Sequence, residues 1–199
     1  MKIELSGKAS NIAPSMTLVI DTKLKQMVAE GAKVYGFGVG EPDFNTPEYI
    51  RNAAIEAMNK GFTRYTPAQG TIELRKAICS KLQRENSLKY ELNQIIASSG
   101  AKHSLSNAFA AILNPGDEVI VPIPYWVSYT EIIKLNDGVP VIVATKKENN
   151  FKMTGEELRN AITSRTKAIL INSPSNPTGA VYTEGELKQI AEVAVENNL

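Results

Sequence analysis

Hydrophobic and polar positions along this chain follow a helical period first and then alternate between short apolar runs and helical stripes. From Ser15 to Glu30, Leu24, Met27 and Val28 recur at helical spacing and Gly31 supplies a left-handed stop, so the pattern predicts a first helix. Val34 to Val39 reads as a short strand. Thr46-Pro47-Glu48 then presents an N-cap, a first-turn proline and a first-turn acid, and Gly61 closes the helix they open. A further helix runs from Ile72 to Asn86, with Leu74, Ala77, Ile78 and Leu82 on one face.

Past residue 90 the pattern becomes regular. Gln94–Ser98, Glu118–Ile123, Pro140–Thr145 and Lys167–Asn172 are short apolar runs of strand type, and helical segments separate them. One of these segments carries the stripe Leu105, Ala108, Phe109 and Ile112. Thr154 with Glu157 and Thr183 with Glu186 are capping boxes, each opening a helix in front of an apolar stripe. Strands that alternate with helices in this way predict the α/β class, with a mainly parallel sheet and right-handed crossovers. The last helix runs out at Val195-Glu196-Asn197-Asn198-Leu199, where a doubly wound chain would return with another strand. An unpaired sheet edge and an uncovered helix face are expected there.

Composition narrows the function without naming it. With 43% apolar and 22% charged residues, the 199-residue chain can bury a core, and one or two domains fit its length. Its 22 basic and 21 acidic residues leave no electrostatic footprint for nucleic acid or an anionic membrane. Cys79 has no partner cysteine, which excludes an internal disulfide and favours a reducing, cytoplasmic setting. No apolar run approaches a membrane span, and the N-terminus lacks a signal-peptide apolar region. Recognition is therefore expected from a built site, with no nucleic acid, membrane or metal involved.

Three loops, each following a strand, carry candidate chemistry. Ser98-Ser99-Gly100-Ala101-Lys102 joins a strand to a helix start, where small residues and the first N–H groups suit a phosphate. It matches neither the Walker spacing nor GxGxxG, and taken by itself it reads as an ordinary tight strand-to-helix turn. Pro122-Ile123-Pro124-Tyr125-Trp126 places the only tryptophan at the C-terminal sheet edge, where open α/β sheets bind ligands. Trp126 there suits either stacking on a flat ring or packing in the core. Asn172-Ser173-Pro174-Ser175-Asn176-Pro177-Thr178-Gly179 is a stiff loop that presents the Asn176 amide, or simply turn chemistry. His103 reads as a first-turn structural or surface residue, and Lys23, Lys76 and Lys188 as solvated helix faces.

Together with Gly40-Glu41-Pro42-Asp43-Phe44, Tyr65-Thr66-Pro67-Ala68-Gln69-Gly70 and Asn114-Pro115-Gly116-Asp117-Glu118-Val119, these loops occur in order at family spacing. The chain resembles the class I aminotransferases of pyridoxal-phosphate fold type I, the aspartate aminotransferase superfamily, and the resemblance extends over essentially all of it. It implies a three-layer α/β/α large domain. Residues 1–46 would form an N-terminal segment of arm and partial small domain, and residues 47–199 the first part of the cofactor-binding domain, about half the family fold in all. It further implies pyridoxal 5'-phosphate as cofactor, with the Ala101 and Lys102 backbone cradling the phosphate. Trp126 would lie on the ring and Asn176 would donate to its phenolic oxygen. Gly40, with Trp126 and Asn176, would meet the substrate, and Tyr65 would reach the phosphate of the neighbouring subunit's cofactor in a homodimer.

The lysine that holds the family's cofactor covalently follows a later strand and has no counterpart here, so no catalytic residue is assigned. Lys102 competes for that role, but its charge at a helix start suits anion binding better. The aspartate that pairs with the ring nitrogen and the arginine that clamps the substrate carboxylate are equally without counterpart. The activity implied is transamination between an L-amino acid and a 2-oxo acid, of aspartate type, with the 199 residues inactive alone. A β-eliminating carbon–sulfur lyase and a non-catalytic aminotransferase-like ligand-binding domain are the alternatives.

Overall fold

The computed structural model describes residues 4–38, 40 and 42–199. They form two compact units, one of residues up to Val19 together with Leu105–Leu199, the other of Ile20–Ser104. In chain order the helices are α1 Gly7–Ser10, α2 Met16–Ala29, α3 Glu48–Asn59, α4 Ile72–Asn86, α5 Ala101–Ile112, α6 Ser128–Leu135, α7 Gly155–Ala161 and α8 Glu184–Glu196. The strands are β1 Glu118–Ile123, β2 Val139–Ala144 and β3 Thr166–Ile169.

The first unit is built on a parallel sheet in the order β2-β1-β3. Glu118 to Ile123 pair with Val139 to Ala144 in register, and a bulge between Glu118 and Val119 shifts the pairing with β3. Period two along β1 sends neighbouring side chains to opposite faces. Val119 and Val121 join Phe109, Tyr129, Ile132, Ile133 and Leu170 under α5 and α6. Ile120 joins Val143, Met153, Leu158, Tyr182, Ile190 and Val193 under α7 and α8. Val119, Ile120 and Val121 are all fully buried, so β1 is the shared middle of a three-layer α/β/α core. Burying each such side chain stabilises the fold by about 1.5–3 kcal/mol.

Polar groups fix how the layers meet. Glu118 sits buried at the start of β1, where the Thr163 hydroxyl donates at 2.5 Å and Arg165 donates through Nη2 at 2.6 Å. The Thr163 hydrogen bond, with Arg165 behind it, overcomes burial and lowers the Glu118 pKa. Both predicted capping boxes form: Glu157 N–H donates to Thr154 Oγ1 at 3.1 Å, and Glu186 N–H to Thr183 Oγ1 at 3.4 Å. The buried Lys152 donates to both carboxylate oxygens of Glu186, at 2.5 and 2.7 Å, and to the Val181 carbonyl.

That pair makes stability depend on acid. The Lys152 hydrogen bond and the Thr183 N–H hold the Glu186 carboxyl down from 4.5 to about 2. A carboxylate stabilised in the native state adds stability above its unfolded pKa and loses it as pH falls through the folded one. The urea midpoint of the protein should therefore drop between pH 4.5 and about 2. Glu186→Gln should lower the midpoint at neutral pH and flatten this slope. An unchanged slope in the variant would show that the pair carries no linkage.

In the second unit the helix ends follow the sequence closely. Gly31, at φ +86°, closes α2 with Ala32 N–H donating to Met27 O and Gly31 N–H to Val28 O. Gly61, at φ +80°, ends α3 with the same pair of bonds, Phe62 to Ala57 and Gly61 to Met58. Helix α4 spans the predicted residues and is capped by Thr71, whose hydroxyl accepts from Leu74 N–H.

Three local expectations are corrected here. The cap of α3 is Pro47 and not Thr46, and no side chain caps it, because the proline occupies the position one earlier than expected. Residues 34–38 form no strand; Val39, where the expected strand would end, and Glu41 lie outside the described residues. Gly36 and Gly38 lie instead against α2, where a Cβ would come 2.5 Å from Leu24 Cδ1 and 2.6 Å from Ile20 Cγ2. This leaves Tyr35 and Phe37 exposed at 74% and 96%. Residues 94–98 form no strand either. Leu92–Gln94 is a turn of 3₁₀ helix, and Ile95 has strand dihedrals, φ −113° and ψ 129°, without a strand beside it. Ala97 N–H pairs with Gln69 O in a loop contact.

Candidate functional site

The C-terminal ends of β1 and β3 open on a cleft in the first unit. Tyr125, Phe151, Asn172, Ser175, Asn176 and Tyr182 are among its lining. Asn172 Oδ1 accepts from the Asn176 N–H at 2.7 Å, which folds the loop back on its own base. Ser175 N–H donates to Ala180 O and Gly179 N–H to Ser175 O, both at 2.8 Å. The Ser173-Pro174 and Asn176-Pro177 peptide bonds are cis, as is Ile123-Pro124. Asn176 is exposed, and among the described residues nothing accepts from its side-chain amide. The loop backbone is thus fixed at Asn176, and it presents an exposed side-chain donor at the sheet edge.

Trp126 lies outside that lining. It is half-buried against the core beneath α5 and α6, and its ring meets the Tyr129 ring edge to face, with centroids 5.5 Å apart and planes at 85°. Burial raises the Tyr129 pKa, and burial likewise raises that of Tyr182. Tyr182 is occupied internally, since its hydroxyl accepts from Met153 N–H at 2.8 Å. Tyr182 and Phe151 line the cleft without having been expected from the sequence. Neither falls in a motif or at a strand end, so only the fold brings them there.

The remaining candidates belong to the second unit. Gly100 adopts φ +81°, and a Cβ placed on it would meet nothing within 4 Å. The left-handed conformation, not crowding, is what calls for glycine at this turn. Ser98 O accepts from Gly100 N–H at 2.9 Å, and α5 begins at Ala101. Ala101, Lys102 and His103 are therefore the first helical residues, whose N–H groups have no carbonyl one turn back within the helix. His103 Nδ1 accepts from Ser99 N–H at 3.1 Å, so the histidine is a structural first-turn residue. Gly40 has open space where a side chain would stand, and Tyr65 is fully exposed at 108%.

The donor chemistry fits pyridoxal phosphate within each unit. A left-handed glycine before the first turn of a 12-residue helix suits a phosphate, and an exposed side-chain amide on a loop whose backbone is pinned suits a phenolate oxygen. Among the described residues no cluster of acidic, histidine or cysteine side chains could hold a metal, and no helix is long and apolar enough to cross a membrane.

The aminotransferase class I and II family matches residues 32–199. Aspartate aminotransferase of Bacillus sp. (strain YM-2) is 54% identical over 199 residues, covering all of this chain and 51% of its own. The probable aspartate/prephenate aminotransferase of Aquifex aeolicus is 50% identical, covering 100% and 50%. The crystal structure of Thermus thermophilus aspartate aminotransferase with maleate superposes at a TM-score of 0.96 and 43% identity, over 100% of this chain and 52% of that one. The chain spans about half the length of the curated relatives it matches. Its parallel sheet, its three layers and its similarity over 168 residues agree: the chain belongs to the aminotransferase class I and II family, in the first half of fold type I.

Proposed function

We propose that the whole protein is a pyridoxal-phosphate-dependent aminotransferase, moving an amino group between an L-amino acid and a 2-oxo acid, with aspartate-type substrates. The observation that carries this reading is the exposed Asn176 side-chain amide, presented past the end of β3 by a loop whose backbone N–H at Asn176 is bound by Asn172. The names of the relatives support the substrate class. Pyridoxal phosphate, when bound, supplies an electron-withdrawing ring that carries the amino group between the two acids.

The roles proposed for this chain's residues are those the family resemblance implies, and their chemistry suits them. The N–H groups of Ala101 and Lys102 hold the phosphate at the start of α5, and Trp126 supports the ring. Asn176 donates to the phenolic oxygen, and Asn176 and Trp126 are the substrate contacts proposed in the first unit; Gly40 is proposed as a substrate contact from the family resemblance alone. Tyr65 reaches the cofactor phosphate of a second copy in a homodimer, a role that its complete exposure permits. Residues 1–46 form the arm and part of the small domain, and 47–199 the first part of the cofactor domain. A cytoplasmic location agrees with the unpaired Cys79.

An amide that donates to the phenolic oxygen stabilises its ionised form, so removing it should raise the pH at which the bound cofactor's absorbance titrates. A hydrogen bond to a charged group contributes about 1.5–3 kcal/mol, so Asn176→Ala should move the midpoint up by about one to two pH units. A midpoint that stays or falls would remove Asn176 from the site. Release of pyruvate and ammonia without an amino acceptor would replace transamination by β-elimination.

A further inference from the structure

We infer that His103 is a positioning residue for the cofactor phosphate, acting through the Ser99 N–H; the inference rests on the phosphate reading of the 98–102 turn. Two backbone donors next to the proposed cradle are turned away from any ligand. Gly100 N–H is taken by Ser98 O at 2.9 Å, and Ser99 N–H by His103 Nδ1 at 3.1 Å. Ser104 N–H returns to Gly100 O at 3.2 Å, closing the first turn of α5 over the glycine. The two donors just before the helix are thus satisfied internally.

His103 occupies the third helical position, from which a side chain reaches back to the backbone before the helix. Glutamate commonly takes that role, but it would place a negative charge beside a phosphate dianion, which the helix start is there to attract. A neutral imidazole accepts the same kind of bond without the charge. Because Nδ1 is the acceptor, the neutral ring carries its proton on Nε2. The bond fixes Ser99 relative to Gly100, whose left-handed φ of +81° sets the direction of the N–H groups that follow.

The test compares the whole protein's binding of pyridoxal phosphate and of pyridoxal, which lacks the phosphate, in wild type, His103→Ala and His103→Asn. Asparagine offers an acceptor oxygen near the position of Nδ1. Loss of one neutral hydrogen bond predicts about threefold to tenfold weaker binding of pyridoxal phosphate in His103→Ala, with pyridoxal unaffected. His103→Asn should recover most of the loss. Amide exchange at Ser99 should quicken in the alanine variant and be restored by asparagine, a readout that needs no cofactor. Equal loss for both ligands, an asparagine variant as impaired as alanine, or unchanged Ser99 exchange would overturn the inference. A wild type that binds both ligands equally would instead overturn the phosphate reading, and the inference with it.

Discussion

Replacing Trp126 by alanine in the whole protein is expected to weaken pyridoxal phosphate binding by about tenfold to a hundredfold and to shift the bound cofactor's absorption band. The magnitude follows from the apolar area a tryptophan removes from water when a ring lies on it, about 1.5–3 kcal/mol, and from tenfold per 1.4 kcal/mol. The side chain suits this because it is only half-buried: its edge-to-face contact with Tyr129 anchors it without enclosing it. Trp126→Phe should retain most of the affinity, since a smaller flat ring still covers the cofactor. If alanine binds as tightly as wild type with an unaltered spectrum, Trp126 is a core residue and nothing more.

The second large effect concerns the 199 residues produced alone, which are expected to transfer no measurable amino group and to form no stoichiometric lysine adduct with pyridoxal phosphate. The groups found in this chain are donors and packing surfaces: the α5 start, the Asn176 amide and Trp126. Proton transfer at a substrate carbon needs a base beside it, and amine exchange needs a lysine there. Neither group is assigned to a residue of this chain, which spans about half the length of its curated relatives. Borohydride treatment followed by peptide mass mapping reads the outcome directly. Stoichiometric labelling of Lys102 accompanied by amino-group transfer would overturn the expectation.

How much was legible in the sequence depended on how local the causes were. Both capping boxes and the glycine stops at Gly31 and Gly61 are decided by residues within one turn, and all four form. Strands are different, because a strand exists only when another pairs with it. The apolar runs at 118–123 and 140–145 found partners in each other. The run at 167–172 did so for a shorter stretch, ending at Ile169 with Leu170 N–H still reaching Ile120 O. The runs at 34–38 and 94–98 found none, and glycine contacts with α2 and a loop bond to Gln69 took their place.

The site shows the same division. The turns at Gly100 and in the Asn172–Gly179 loop were readable as turns because loop chemistry is local. The Asn172 side chain that binds the Asn176 N–H stands in the loop motif with nothing local to mark that role, and the cleft walls Phe151 and Tyr182 carry no signal at all. Phe151 reaches the cleft through a backbone at φ +56°, next to Asn150 at φ +51°, a left-handed pair that no apolar period announces.

The central position of β1 also sets an order for synthesis on the ribosome. A parallel neighbour cannot arrive through a hairpin, so each partner of β1 waits for a whole crossover to be made. One edge of β1 is closed only when residue 144 has emerged, and the other only when residue 169 has. In that interval of 25 residues the most buried strand of the unit presents an open edge in the exit-site environment. A nascent chain paused there should be the species that chaperones hold and proteases cut.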